Sequence, residues 1–414
     1  METDFQTVEQ AKSNIQALLK GIVGTRTVAI RDALDQVLAA DVLSPIHVPA
    51  HDNSAMDGYA FNGAAINPAG MTQLALVGTA YAGRKYEGTV KSGECIRIMT
   101  GAVMPEGCDT VVVQENVTVQ GDQIHFAPGA VKAGDNRRLK GEDLTQGKPA
   151  LRAGRILRPA DLGLLASLGI PEIQVMRKLR VAFFSTGDEL RSLGQVLDEG
   201  CVYDSNRYTL YGMLTRLRFV DLIDMGVVHD SPESLEAAMN NAADQADVII
   251  TSGGVSVGEA DFTKDVMQKL GSVNFWKIAM RPGRPMAFGH ITNPNTGNAA
   301  FLFGLPGNPV AVMVTFYAFV RDALFKLAGA NPTAVPLVKA QLASNVRKRP
   351  GRTEFQRVRL ERQGSTTVAH LTGAQGSGIL RSMSESDGIM VLAHDLGDLQ
   401  AGSEVEVLPF EGLI

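Results

Sequence analysis

The sequence contains few cysteines and no pattern that would link them. Cys95, Cys108 and Cys201 are an odd number in 414 residues, and none of them belongs to a CxxC pair. A disulfide framework needs paired cysteines, and a structural zinc site usually needs closely spaced cysteine or histidine ligands. The cysteine content therefore argues against both and favours a reducing compartment.

Long apolar runs and a targeting signal are also lacking. The longest apolar run, residues 310–320, is shorter than the roughly 20 residues that cross a bilayer, and Arg321 and Asp322 follow it. The opening METDFQTVEQAKSN is acidic and amphipathic, without the basic and then apolar order of a signal peptide. These features predict a cytoplasmic protein that does not contact a membrane.

An excess of positive charge is missing as well. The 39 basic and 44 acidic residues give a net charge of −5, the wrong sign for a protein that coats nucleic acid. We therefore expect no nucleic-acid partner, and any site for a polyanion must be a local cluster. The chain also lacks a GxxxxGK[ST] loop, a GxSxG turn and a cysteine beside a histidine, which argues against ordinary NTPase chemistry and nucleophilic hydrolysis.

The length predicts two to four domains. Residues 7–41 have helical periodicity, residues 44–145 form short alternating runs separated by glycine and proline, and residues 157–170 again favour a helix. This order suggests a β-rich module inserted between two parts of one helical domain.

Strands and helices alternate from Leu179 to the apolar helix that begins near Pro309. Because the strands are almost entirely apolar, the pattern predicts a parallel sheet covered on both faces, with ligand-binding loops at the strands' carboxyl ends. After Pro332, alternating runs predict a small barrel or sandwich of about 80 residues.

Three polar, glycine-rich loops follow strands of this α/β region: STGDEL, TSGGVSVGEAD and GLPGNP. Glycines in the second loop allow the backbone to approach an anion at the start of the next helix. Its Glu259 and Asp261 would repel an anion unless a hard divalent cation such as Mg²⁺ lies between them. The alternatives are a solvated helix start for these acids, a tight turn for GLPGNP and a capping role for Asp188 and Glu189.

The segment FWKIAMRPGRP carries Lys277, Arg281 and Arg284 among prolines that stiffen the chain. Such cations suit phosphate or another oxyanion, although a solvated basic loop is the alternative. In the β-rich module, Pro49 between His47 and His51 opposes a helical zinc pair. A site of carboxylates, a divalent ion and cations indicates phosphoryl or nucleotidyl chemistry on an anionic substrate.

Several segments occur in an order that identifies a family: DNSAMDGYA, IRIMTGA, RRLKGED, FFSTGDEL, YDSN, SGGVSVGEADFTK, FWKIAMRPGRP, GLPGNPV and QGSGILRSM. Together they resemble the molybdopterin molybdenumtransferases, the family of MoeA and the gephyrin E-domain, from about Val8 to Phe410. The resemblance implies insertion of molybdate into adenylylated molybdopterin, assisted by Mg²⁺, with release of AMP and formation of molybdenum cofactor. Two other functions stay open: a molybdopterin adenylyltransferase, which would leave the additional domains unexplained, and a scaffolding protein of gephyrin E-domain type, which would tolerate loss of the acids.

The resemblance also implies a multidomain α/β and β fold. It predicts a helical dimerisation domain (1–44 and 146–177), a β-rich lid domain (45–145), a three-layer molybdopterin-binding α/β domain with a parallel-type sheet (178–330) and a C-terminal β-barrel (331–414). It implies a homodimer whose partners are a molybdopterin adenylyltransferase and apo-molybdoenzymes or their chaperones.

Catalytic and substrate-binding positions follow from the family motifs and the loops described above. The expected catalytic carboxylates are Asp57, Asp143, Glu189 and Asp261, and the last two are the expected metal ligands. The expected substrate-binding residues are Thr100, Arg137, Gly253, Gly254, Lys277, Arg281, Arg284, Pro306, Pro309, Arg352 and Ser377. Arg281 and Arg284 occupy a loop in which the family usually has lysines, so charge is kept while donor geometry changes.

Overall fold

A computed structural model describes residues 5–22, 24–254, 262–331 and 335–412 of the chain. The chain divides into two compact units. The main unit consists of Met1–Ala40, Gly154–Leu162 and Glu172–Ile414, and the inserted unit consists of Asp41–Ala153 and Gly163–Pro171. None of the described helices is both long enough and apolar enough to span a bilayer.

The first helix of the main unit is Val8–Leu18. It begins with a capping box, because the Thr7 hydroxyl accepts the Gln10 N–H while the Gln10 side chain accepts the Thr7 N–H. The prediction of a helix over residues 7–41 is wrong beyond Leu18. Thr25–Ala29 is a strand that pairs antiparallel with Glu172–Met176, since β-branched residues and a partner strand outweigh the apolar period there.

The helix predicted within residues 157–170 is confirmed as Pro159–Ser167. Proline opens it, where its missing N–H costs nothing, and Gly169 follows with a φ of +70°.

A six-stranded mixed sheet forms the centre of the main unit. Its strands, in spatial order, are Val220–Val228, Leu179–Thr186, Val248–Ser252, Ala299–Leu305, Pro285–Thr292 and Gly271–Lys277. The first four are parallel, as predicted, whereas the last two are antiparallel to their neighbours. Short connections at residues 278–284 and 293–298 explain the difference, because a parallel pair would need a long crossover.

Helices cover both faces of this sheet. They are Ser205–Arg216, Pro232–Gln245, Phe262–Leu270 and a continuous helical stretch made of Pro309–Thr315, the π-helical Phe316–Val320 and Arg321–Leu327. Successive residues of the strand Leu179–Thr186 belong to different cores: Val181 and Phe183 to one, Ala182 and Phe184 to the other. The three-layer arrangement follows from this burial on both faces.

The C-terminal region closes into a barrel. Its strands, in order around the barrel, are Thr353–Gln363, Thr366–Leu371, Val338–Leu342, Glu404–Pro409 and Gly388–Leu392, and the last pairs again with the first. The short strand Met280–Arg281 pairs in parallel with residues 353 and 354 of this barrel. The helix Leu380–Ser384 completes the region.

The inserted unit contains another six-stranded sheet, in agreement with its predicted β-rich character. Its spatial order is Thr110–Val113, Gly58–Phe61, Glu94–Ile98, Thr72–Ala80, Gln123–Phe126 and Thr118–Gln120. Two small antiparallel pairs join Asn53–Ser54 to Arg137–Arg138 and Val42–Leu43 to Pro149–Leu151.

Candidate functional site

A cavity of about 740 Å³ lies at the carboxyl ends of three parallel strands of the main unit, Leu179–Thr186, Val248–Ser252 and Ala299–Leu305. Its position agrees with the general rule that open α/β sheets bind ligands at this edge. The site residues predicted from the sequence that line it are Glu189, Gly253, Gly254, Arg281, Arg284, Pro306, Arg352 and Ser377.

The glycine-rich loop after Val248–Ser252 makes one wall of the cavity. Gly253 and Gly254 have φ values of +94° and +65°. A Cβ atom on Gly253 would lie 2.5 Å from the Thr186 carbonyl oxygen, and one on Gly254 would lie 2.6 Å from Thr263 Oγ1. Both positions therefore require glycine, for backbone conformation and for space. The rest of this loop, including Glu259 and the predicted ligand Asp261, lies outside the described residues.

The GLPGNP loop is tied to two neighbouring elements. Asn206 Nδ2 donates a hydrogen bond of 2.7 Å to the Gly307 carbonyl. The Val310 N–H, in the first turn of the following helix, donates to the Ser377 carbonyl at 3.0 Å. Pro309 begins that helix and, like Lys277 at the end of the strand Gly271–Lys277, is not among the described residues that line the cavity. The substrate contacts predicted for these two residues stay predictions.

Carboxylates accumulate at one part of the wall. Glu189 and Asp230 both line the cavity, and the Asp230 N–H donates to Asp188 Oδ1 at 3.2 Å. Burial, together with the negative charges of Asp188 and Glu189, raises the pKa of Asp230. A cation bound here would relieve that repulsion. The sequence does not predict Asp230 as a site residue, because its segment carries no motif.

Two residues of the cavity wall carry buried polar oxygens. Thr186 and Asn206 line it at 5% and 8% exposure, and Thr186 Oγ1 and Asn206 Oδ1 have no hydrogen-bond partner among the described residues. Hydroxyl, amide and carboxylate oxygens are the donors that Mg²⁺ takes. Within the described part of the chain, however, no group of three or more histidine, cysteine or acidic side chains has a geometry that could hold a metal ion. These oxygens are therefore chemically suitable ligands for Mg²⁺, but the described side chains do not form a complete metal site.

The cations of the site come from two segments. Arg281 and Arg284 flank Pro282 and Gly283, and Arg352 precedes the first barrel strand. Arg352 Nε donates to Glu354 Oε1 at 2.9 Å, and the Arg284 guanidinium lies 5.2 Å from the centre of the Phe5 ring. These contacts hold the side chains of Arg352 and Arg284 in place, which suits recognition of an oxyanion.

The remaining predicted residues lie in the inserted unit. Asp57 accepts hydrogen bonds from the Thr100 N–H at 2.6 Å and from the Thr100 hydroxyl at 2.7 Å, and these two bonds lower the pKa of Asp57. The strand Asn53–Ser54 lies next to this pair, because the Ser54 carbonyl accepts a hydrogen bond from the N–H of Gly101, the residue after Thr100. The same Ser54 pairs with Arg137 in the small antiparallel sheet.

Arg137 and Asp143 have less defined surroundings. Arg137 Nε is buried without a hydrogen-bond partner among the described residues, and its Nη1 lies 3.8 Å from Asp52 Oδ2. Asp143 lies on a separate turn, where its N–H donates to the Val48 carbonyl. The structure thus brings Asp57, Thr100 and Arg137 together around one short strand, with Asp143 on a different turn.

Family models match three parts of the chain. They are the MoeA N-terminal region (domain I and II) at residues 6–169, a probable molybdopterin binding domain at residues 182–326, and the MoeA C-terminal region (domain IV) at residues 339–410. Together they span nearly the entire sequence, in the order that the motifs indicate.

Named relatives and solved structures agree with these matches. A molybdopterin molybdenumtransferase of Haemophilus influenzae is 41% identical over 411 residues, which cover 99% of each chain. The gephyrin of Dictyostelium discoideum is 33% identical over 343 residues, covering 76% of this chain and 48% of gephyrin. A crystal structure of the molybdopterin biosynthesis moeA protein from Pyrococcus horikoshii superposes with a TM-score of 0.82 at 27% identity, covering 98% of this chain and 100% of that one. The chain therefore belongs to the MoeA family of molybdopterin molybdenumtransferases.

Proposed function

We propose that this protein inserts molybdate into adenylylated molybdopterin and releases AMP, forming molybdenum cofactor. One observation carries the proposal beyond family membership. In one cavity, a glycine-rich loop, the cations Arg281, Arg284 and Arg352 and the carboxylates Glu189 and Asp230 meet. Such a site suits an anionic substrate with a phosphate group and a second, tetrahedral oxyanion.

Each part of the cavity wall has a role in this proposal. The backbone at Gly253 and Gly254 approaches the phosphate, and the arginines bind molybdate and hold it against the substrate. Glu189, Asp230, Thr186 and Asn206 supply oxygen ligands for Mg²⁺, with Asp261 as a further expected ligand. When bound, the ion would neutralise phosphate charge. Lys277, Pro309, Asp57, Asp143, Thr100 and Arg137 remain proposed site residues on the family resemblance.

The proposal extends to the setting of the reaction. We expect a cytoplasmic homodimer that receives its substrate from a molybdopterin adenylyltransferase and delivers the cofactor to apo-molybdoenzymes or their chaperones. The division into dimerisation, lid, α/β and barrel domains, with boundaries near residues 44, 145, 177 and 330, is part of the same proposal.

One assay tests the proposed function directly. Purified protein is mixed with adenylylated molybdopterin, molybdate and Mg²⁺, and AMP is measured over time. The proposal requires AMP release that depends on molybdate and consumes no ATP. ATP consumption on free molybdopterin would instead indicate an adenylyltransferase, and absence of both reactions would favour a scaffolding role.

A further inference from the structure

Arg357 is a buried cation in the wall of the C-terminal barrel. It lies in the strand Thr353–Gln363 and is fully buried. Among the described residues, no carboxylate forms an ion pair with it. Burying an uncompensated charge is costly unless hydrogen bonds satisfy it, so the partners of this side chain should explain its presence.

Those partners are almost all in one loop. The guanidinium donates to the carbonyls of Ala374, Gln375 and Gly376 at 3.4, 3.3 and 3.0 Å, and Arg357 Nε donates to Ser382 Oγ at 3.0 Å. The backbone of Arg357 adds to this, because its N–H donates to Gln375 Oε1 at 2.8 Å and its carbonyl accepts from Gln375 Nε2 at 3.2 Å. Consecutive carbonyls of the loop are thus held by one planar side chain.

The loop leads directly into the cavity of the candidate site. Gln375, Gly376 and Ser377 line that cavity, and the Ser377 carbonyl accepts the Val310 N–H. Arg357 itself faces a smaller cavity of about 200 Å³, which it shares with Arg281 and Gln375. Burial and the nearby charge of Arg281 lower the pKa of Arg357 to about 10, so it remains a cation at neutral pH.

We propose that Arg357 is a positioning residue that holds residues 374–377 as part of the wall of the cavity of the candidate site. The forked guanidinium can reach several carbonyls at once, which the single ammonium of lysine cannot match. The proposal deepens the proposed function and rests on it for the identity of the anion. The loop contacts themselves do not depend on the reaction.

Two measurements on the full-length protein test this without turnover. Hydrogen–deuterium exchange of the peptide spanning residues 373–379 reports the loop, and calorimetric titration with sodium molybdate reports the cavity. In Arg357→Met we expect exchange of this peptide and the Kd for molybdate each to rise by about tenfold or more, because several charge-assisted hydrogen bonds are lost. Arg357→Lys keeps the charge and should give intermediate values.

Arg359 provides a matched control, since it lies two residues along the same strand and is exposed. Arg359→Met should leave both measurements at wild-type values. Equal loop exchange in Arg357→Met and Arg359→Met would overturn the proposal. The proposal would also be overturned if Arg357→Met raised the Kd for molybdate without changing loop exchange, which would indicate an effect of charge alone. Faster loop exchange with an unchanged Kd would overturn it as well.

A further variant protects the test against misfolding. If Arg357→Met does not fold, Ser382→Ala removes the acceptor of Arg357 Nε while keeping the arginine. Because the Ser382 hydroxyl also donates to the Ile379 carbonyl, exchange is then followed in residues 373–377, where a smaller rise is expected. Wild-type exchange in both Ser382→Ala and Arg357→Lys would then contradict the proposal. Absence of AMP release by the wild-type protein would count against the proposed function and leave this result unaffected.

Discussion

At the scale of single residues, the cavity combines side chains whose identity the sequence indicates and others that only the structure reveals. Arg281 and Ser377 are predicted from quoted segments that resemble a family, and Arg352 is predicted from the same resemblance at the sequence PGR. Thr186 lies within such a segment without being predicted as a site residue, and Asp230 lies in none. Thr186 is identified as a site residue by its burial, and Asp230 by the negative charges beside it. Burial of a polar atom without a partner depends on tertiary packing, which local sequence does not encode.

Arg281 gives a prediction at this scale. Arg281→Ala should raise the molybdate concentration for half-maximal AMP release by about tenfold or more, because one charge-assisted contact to the oxyanion is lost. Arg281→Lys should recover much of this loss, since lysine keeps the positive charge. Steady-state rates at varied molybdate provide the measurement. An unchanged molybdate dependence in Arg281→Ala would mean that the side chain is a solvated surface group.

At the scale of elements, the sequence predicts strands and helices of the α/β region well and the N-terminal segment poorly. Apolar strands and capped helices follow from local pattern, as in Leu179–Thr186 and Pro232–Gln245. Thr25–Ala29 is a strand because Glu172–Met176, far away in sequence, pairs with it. The reversal of direction in Pro285–Thr292 likewise depends on which neighbour it finds. Long-range pairing is the part that periodicity cannot supply.

The glycine-rich loop gives the first prediction for an element. Gly253→Ala should reduce kcat/KM by about tenfold or more, because the added methyl group would lie 2.5 Å from the Thr186 carbonyl oxygen and displace the loop. Gly194 is a matched control, since its φ of +89° is similar and a methyl group added there would meet no atom within 4 Å. Gly194→Ala should therefore keep activity and lose only about 1 kcal/mol of stability. Equal activity in the two variants would refute the role of the close approach.

The second prediction for an element concerns the ion pair between Arg177 and Asp247, which lie just before two neighbouring strands of the central sheet. Arg177 donates two hydrogen bonds to Asp247, at 2.8 and 2.7 Å, and the Asp247 side chain is only 11% exposed. Burial raises the pKa of Asp247, but the hydrogen bonds from Arg177 and Arg180 outweigh it and leave the pKa below its usual 3.8. A lowered pKa in the folded state means that stability is present above pH 3.8 and is lost as the pH falls further.

Asp247→Asn should therefore lower the free energy of unfolding at pH 7 by about 2 kcal/mol, less than for a fully buried pair because Arg177 is partly exposed. The difference from wild type should shrink as the pH falls through the lowered pKa of Asp247. Urea unfolding followed by fluorescence of Trp276, the single tryptophan, measures this. Asp221→Asn removes an ion pair with Lys178 in which the carboxylate is 60% exposed, and should cost less than about 0.5 kcal/mol. Equal losses of unfolding free energy in Asp247→Asn and Asp221→Asn would contradict the stabilising role of the Arg177–Asp247 pair.

At the scale of the whole molecule, net charge and local charge favour opposite effects of salt. The chain carries −5 overall, which would repel molybdate. Arg281 and Arg352 line the cavity and also an adjoining groove with the cationic Arg347, Lys348 and Arg349. Glu354 and Asp398 are the only acids among the described residues that line this groove. Because charges within a Debye length dominate the field at a site, we expect the local cluster to control the encounter.

The direction in which kcat/KM for molybdate changes with salt distinguishes control by the local cationic cluster from control by the net charge. Raising the ionic strength from about 0.02 to 0.3 M shortens the Debye length from roughly 22 to 6 Å, which screens the cluster from an approaching dianion. We therefore expect kcat/KM for molybdate to fall several-fold over this range, with adenylylated molybdopterin and Mg²⁺ held saturating. A double variant, Arg347→Gln with Arg349→Gln, should reduce that slope. The control is Arg359→Gln with Arg362→Gln, which makes the same change in net charge at exposed positions of the strand Thr353–Gln363. If kcat/KM instead rises with salt, or the two double variants share one slope, the net charge of the molecule and not the arginine cluster governs how molybdate reaches the site.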